Sequence, residues 1–270
     1  MSDLPALFDL SARSAVVTGG AGALGRVVAA ALADAGASVA VVDLNQADAA
    51  RVAASICDSG RHAIAVGADL SSEDAVDRAF AEIDQAFASV DILVNAVSAP
   101  VDRYAPEDFP VSAWEAMLAA NLTSYFLCSR AAARRMIAAG RGGSIINFSS
   151  IAGATALGRG SLAYSVAKGG VGQLTRESAY AWAGQGIRVN AVLPCQFINA
   201  WWTANLNDPD RRGLVDRVVS GIPAGRLGEP GEIAGPVLFL ASDAASMVTG
   251  VLLPVDGGNL AMNAGASLGW

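Results

Sequence analysis

The chain has 270 residues, with 18 Lys+Arg against 25 Asp+Glu for a formal charge of −7, and is 53% hydrophobic but only 16% charged. So apolar a chain buries a large core, and its acidic balance speaks against a footprint on nucleic-acid phosphates. A single histidine (His62) and three scattered cysteines (Cys57, Cys128, Cys195) offer neither zinc-ligand spacing nor a disulfide framework, so no metal is expected.

In chain order, Met1 to Ala6 lacks the basic start and apolar run of a signal peptide. Short apolar runs then read as strands at Ser14–Thr18, Ser38–Asp43, His62–Val66, Ile92–Val97, Ser144–Phe148, Ile187–Leu193 and Val251–Val255. Most are continuous rather than alternating, as strands covered on both faces require. Helical patterns lie between them at Leu24–Ala35, Gln46–Asp58, Ser72–Phe87, Ser112–Ala139, Ala163–Ala183 and Gly231–Leu240. Gly36 is placed to end the first helix, and Ser71 or Ser72 to cap the third. The longest uncharged window, Val189–Asn207, is interrupted by Asn190, Pro194, Gln196, Asn199 and Asn205. No membrane span is expected there, and the protein is expected in the cytoplasm.

Alternating strands and helices predict an α/β fold, a single-domain doubly wound parallel sheet of about seven strands (a Rossmann fold) with helices on both faces. No linker divides residues 1–270. The one long irregular stretch, Pro194 to Gly228, supplies a substrate lid over 195–228. A C-terminal extension follows at 259–270.

The first strand leads into Thr18-Gly-Gly-Ala-Gly-Ala-Leu-Gly25 and then a helix, and Gly20, Gly22 and Gly25 spell GxGxxG. Glycines at such a turn let the backbone approach a pyrophosphate seated on the helix N-terminus. Asp43 closes the second strand 18 residues beyond Gly25. There it either accepts hydrogen bonds from the adenosine ribose or merely caps the strand. In the first case a 2′-phosphate would meet like charge, which favours NAD over NADP.

Further along, Ser149-Ser150 follows a strand and precedes Tyr164-Ser-Val-Ala-Lys168. With the glycine turn, Asp91-Ile-Leu-Val-Asn95, Asn121, Arg188-Val-Asn-Ala-Val192 and Val255-Asp-Gly-Gly258, this pattern resembles the short-chain dehydrogenases/reductases over about residues 10–258. The resemblance implies catalytic roles for Asn121, Ser150, Tyr164 and Lys168. It also implies cofactor contacts from Gly19, Gly22, Leu24, Gly25, Asp43, Asp69, Leu70, Asn95, Tyr164, Lys168 and Pro194. Ser150 would orient the substrate oxygen, Asn121 support a water chain to Lys168, and Asp69-Leu70 meet the adenine. Assembly as a homotetramer or homodimer is implied as well.

The chemistry makes the same demand. Oxidising an alcohol requires a base for its proton, and with no histidine in place a tyrosine serves if its pKa is lowered. Tyr164 and Lys168 lie i and i+4 on one helical face, so Lys168 is expected to stabilise the tyrosinate.

The pattern departs from the family at Ala23, at Ser98, and at Pro194-Cys195 in place of Pro-Gly. Asn199 is a candidate for a threonine missing downstream. Ser98, Ser150, Gln196, Trp201 and Trp202 are the candidate substrate contacts. The tryptophans either face a polyhydroxylated substrate or pack the lid. The expected function is NAD-dependent transfer of a hydride between nicotinamide and a secondary alcohol or ketone, a small molecule such as a sugar, polyol or sugar acid. The alternatives are a 3-oxoacyl (carrier-protein or CoA) reductase and a non-catalytic NAD-binding scaffold. The uncharged tail is expected to dock on a neighbouring subunit.

Overall fold

Runs of valine, isoleucine and alanine form seven strands in a computed structural model that describes residues 5–157, 160–206 and 208–262. They are β1 (Ser14–Thr18), β2 (Ser38–Asp43), β3 (Ala63–Gly67), β4 (Ile92–Asn95), β5 (Gly143–Phe148), β6 (Ile187–Pro194) and β7 (Leu252–Val255). All pair in parallel, in the order β3-β2-β1-β4-β5-β6-β7. The α-helices of the described residues are α1 (Gly25–Asp34), α2 (Gln46–Asp58), α3 (Glu73–Ala86), α4 (Val111–Leu118), α5 (Ser124–Ala139), α6 (Leu162–Trp182), α7 (Ala200–Asn205), α8 (Arg212–Ser220) and α9 (Ala234–Ala241).

Successive side chains leave a strand on opposite faces, so each strand feeds two cores. Ala15, Val17, Val39 and Val41 pack with α1, α2 and α9, whereas Val16, Ala40 and Val42 pack with α3, α5 and α6. That two-sided burial is the reason the runs are continuously apolar. No helix of the described residues is long and apolar enough to cross a membrane.

Four expectations need correction. The run Ile92–Val97 leaves the sheet after Asn95, because the Val97 carbonyl accepts hydrogen bonds from Tyr125 and Lys168 instead of a neighbouring strand. The pattern Ser112–Ala139 is not one helix: a π-helical turn, Ala119–Thr123, separates α4 from α5 and carries the fully buried Asn121. Pro194–Gly228 is not irregular throughout, since it contains α7 and α8, and Trp202, Val215, Ile222 and Leu227 form a small core of their own. These helices have six and nine residues, too short for a clear periodic signal. Finally, Gly231–Leu240 begins as a 3-10 turn, Pro230–Ile233, and α9 then admits Pro236 in its first turn, where no N–H is needed.

Gly36 ends α1 with φ +106°. Ser72 occupies the N-cap of α3 without a side-chain capping bond, while Ser71 bonds Asp69. Of the C-terminal extension, Asn259–Ala261 forms a 3-10 turn, and the Asn259 amide donates to the Gly221 carbonyl at the end of α8. The expected docking of the tail falls mainly on 263–270, outside the described residues.

Candidate active site

Strand order reverses between β1 and β4, and the crevice at such a switch point, beyond the strands' carboxyl ends, is where open α/β sheets bind ligands. A row of buried polar side chains closes the sheet just beneath it. Thr18 donates to Asn95, Asn95 to Asn147 at 2.9 Å, and Asn147 to Thr175 of α6 at 3.0 Å. Asn95 thus lies one layer below the crevice, binding strand ends to one another and, through a 3.0 Å bond to Ser129, to α5.

A cleft of about 780 Å³ runs from the glycine turn past Asp43 and Asp69 to Tyr164 and Lys168. Gly19 is left-handed at φ +62°, and a Cβ there would stand 2.7 Å from the Ala96 carbonyl oxygen. A Cβ on Gly25 would collide with the Gly19 oxygen. Ala23 is not in the left-handed region, so its methyl is tolerated. The N–H groups of Ala23 and Leu24 have no protein acceptor among the described residues, and they sit at the positive end of α1. Asp43 accepts from the Ala21 and Asn45 N–H groups, each at 3.1 Å, which fixes the carboxylate at the cleft wall. Asp69 accepts from Ser71 Oγ and N; these bonds hold its pKa below the usual value. Leu70 is buried along the same wall. The glycine cradle, free N–H groups and ribose-side carboxylate fit a dinucleotide.

A second cavity, of about 380 Å³, opens on the other side of Tyr164. Tyr164, Pro194 and Asn199 line both spaces. The Tyr164 hydroxyl is hydrogen-bonded to Ser150 and Ser98. Ser150 also accepts from Ala152 N at 3.1 Å, whereas Ser149 turns inward and donates to the Lys168 carbonyl at 2.8 Å. Burial pushes the Tyr164 pKa up, and the bonds from Ser150 and Ser98 pull it part of the way back.

Lys168 is 2% exposed, and burial pushes its pKa down to about 7. Its ammonium meets Tyr125 Oη and the Phe148 carbonyl at 2.9 Å and the Val97 carbonyl at 3.4 Å. Its nitrogen stands 5.8 Å from the Tyr164 ring centroid. Burial is the dominant influence on both groups, and in this structure the Lys168 ammonium is hydrogen-bonded to Tyr125. The Asn121 amide donates to the Met117 carbonyl at 3.2 Å, and its buried Oδ1 has no partner among the described residues.

In the lid, Gln196 takes φ +52° and lines the second cavity. Asn199 accepts from Trp202 N at 3.1 Å as the N-cap of α7. The two tryptophans differ in exposure. Trp202 lines the cavity and joins the lid core, but Trp201, expected as a second contact, is 46% exposed and outside the lining. The Trp201 ring packs edge-to-face on Trp202, with centroids 4.9 Å apart, on the side away from the cavity lining. His62 is exposed, with its ring edge against Phe87.

Sequence reasoning missed Tyr125 and Arg103. The signal for Tyr125 was a tyrosine four residues after Asn121, on the helix face that Leu127, Cys128 and Ala132 bury, where a buried hydroxyl has to find partners. Arg103, in the loop after β4, lines the second cavity.

Residues 19–259 match the family described as enoyl-(acyl carrier protein) reductase. Among curated relatives, the cis-4-hydroxycyclohexanecarboxylate dehydrogenase of Sinomonas cyclohexanicum is 41% identical over 93% of this chain and 97% of its own. The D-threitol dehydrogenase of Mycolicibacterium smegmatis is 39% identical over 93% and 94%. A gluconate 5-dehydrogenase from Burkholderia cenocepacia, solved with NADP and tartrate, superposes with a TM-score of 0.89 at 32% identity, covering 97% of this chain and 100% of its own. The chain belongs to the short-chain dehydrogenase/reductase family. Within it, the protein is an NAD(P)-dependent oxidoreductase acting on CH–OH groups.

Proposed function

We propose that the protein oxidises a secondary alcohol of a polyol, sugar or sugar acid, with NAD⁺ as its preferred cofactor. The observation that carries this reading is the position of Tyr164, whose hydroxyl, bonded to Ser150 and Ser98, stands between a dinucleotide-sized cleft and a separate small cavity. NAD⁺, when bound, supplies the hydride acceptor. Tyr164 takes the hydroxyl proton, and Ser150 holds the same oxygen as it becomes a carbonyl. Lys168 holds the ribose, and Asn121, through its unpaired Oδ1, supports a water chain that relays the proton to solvent. Gln196 and Trp202 complete the substrate wall, where hydroxyls meet polar groups and C–H faces meet the indole, and Ser98 reaches the Tyr164 hydroxyl from the cleft side. The named substrates of the relatives, a hydroxycyclohexanecarboxylate, threitol and gluconate, are compatible with this wall.

The preference for NAD⁺ rests on charge. The ionisable side chains on the cleft wall near the glycine turn are Asp43, Asp48 and Asp69, and the lining's one cation, Lys168, is buried at the opposite end. A 2′-phosphate beside Asp43 would meet like charge, whereas Arg51 is paired with Asp48 and, with Arg26, lines the adjoining pocket rather than the cleft. Initial rates of NAD(P)H formation over a panel of polyols, sugars and sugar acids test both parts. We expect turnover favouring NAD⁺ over NADP⁺ in kcat/KM by about 100-fold. Equal use of both, or NADP⁺ preference, contradicts the cofactor assignment, and silence across the panel contradicts the reading itself.

We also propose a homotetramer or homodimer. Phe126 and Ile137 on α5 and Leu162 and Val166 on α6 leave apolar surface exposed, which a second copy would cover.

A further inference from the structure

The cavity beyond Tyr164 has an asymmetric charge. Among its described lining residues Arg103 is the one charged side chain, and no carboxylate lines it. Arg103 makes no ion pair with any described residue. Other arginines, Arg26 and Arg78 among them, also lack an ion pair among the described residues; what sets Arg103 apart is its place in the lining of the cavity that Tyr164 and Ser150 share. Its loop is also held in position. Tyr104 N donates to the Gly160 carbonyl at 3.3 Å, and a Cβ on Gly160 would lie 3.6 Å from Arg103 Cβ. The Tyr104 ring packs edge-on against Phe109 at 5.1 Å, and Phe109 against Trp114 at 6.5 Å. Arg103 is thereby set beside the segment that enters α6, on the exposed side of the cavity, while Tyr164 and Ser150 form its inner wall.

We infer that Arg103 is a specificity-determining residue that binds a carboxylate of the substrate, so that the substrate class is a hydroxy acid whose carboxylate is remote from the carbon being oxidised. This rests on the reading of the site as an alcohol dehydrogenase. One planar guanidinium matches one carboxylate through paired N–H donors. A phosphate ester would bring up to two charges to a cavity holding one cation. The remaining polar wall, Ser161, Gln196 and Asn199, is neutral and suits hydroxyls along the intervening chain.

The test uses matched trios with one carbon skeleton: a hydroxy acid, its primary amide and its phosphate ester, for example gluconate, gluconamide and gluconamide 6-phosphate, with NAD⁺ and NADP⁺. The wild-type enzyme is expected to favour the acid over the amide in kcat/KM by roughly 10- to 100-fold, mostly through KM. In Arg103→Gln that ratio should fall to near unity, and in Arg103→Lys it should lie between, because the charge remains but the paired donors do not. Thermal melting with unchanged midpoints shows that the variants are folded. Oxidation of amide and acid alike, a ratio unmoved by Arg103→Gln, or preference for the phosphate ester overturns the assignment while the alcohol dehydrogenase reading stands. Absence of oxidation of every trio and of every alcohol in the wider panel removes that reading, and this inference with it.

Discussion

Tyr164 and Lys168 show how burial sets the chemistry of single groups. A tyrosine acting as base in alcohol oxidation must be deprotonated, and burial raises its pKa above the ordinary 10.0. In the oxidative direction log kcat/KM should therefore climb with pH through the alkaline range, while ketone reduction, which uses the protonated phenol, should hold until the same pKa is passed. The bond from Ser98 lowers that pKa, so Ser98→Ala should move the oxidative limb to higher pH, as a pH–rate profile would reveal. Tyr125 acts one step away. Its hydroxyl donates to the Val97 carbonyl at 2.8 Å and accepts from Lys168. Tyr125→Phe removes one of three acceptors from a buried ammonium and should lower kcat about tenfold. Steady-state kinetics with a fluorescence measurement of NADH affinity checks this.

At the scale of elements, the sheet and the glycine turn were legible because their signals are local. The seven apolar runs locate the strands to within a residue or two, and Gly19 and Gly25 are explained by what a Cβ would strike. Gly19→Ala, at φ +62°, should strain the turn by about 1–2 kcal/mol and abolish NADH binding in a fluorescence titration. The π turn, the two lid helices and the early end of β4 were not legible, because they depend on contacts between distant segments. Asn121 was readable as a motif residue, but its burial with a free Oδ1 was not. The polar ladder is of the same kind: nothing local in the sequence pairs Asn95 with Asn147, or Asn147 with Thr175. Asn147→Ala removes one hydrogen bond from each of two buried groups, while Asn95 keeps Ser129 and Thr175 keeps the Val171 carbonyl. It should cost about 2 kcal/mol, readable as a lower urea midpoint.

Across the whole molecule, low charge and high apolar content correspond to a sheet buried on both faces, and one exposed histidine leaves proton transfer to tyrosine. The apolar surface of α5 and α6 predicts association. Phe126, 46% exposed, should be covered in the assembly, and Phe126→Glu should lower the molar mass in light scattering; an unchanged mass would place the contact elsewhere. The central claim is that Tyr164 is the proton-transfer group where the cleft and the cavity meet. The most direct measurement is kcat/KM for alcohol oxidation by Tyr164→Phe beside its NADH affinity. The expected result is a loss of about 10²- to 10⁴-fold with NADH still bound; activity close to that of the unaltered protein would contradict the account.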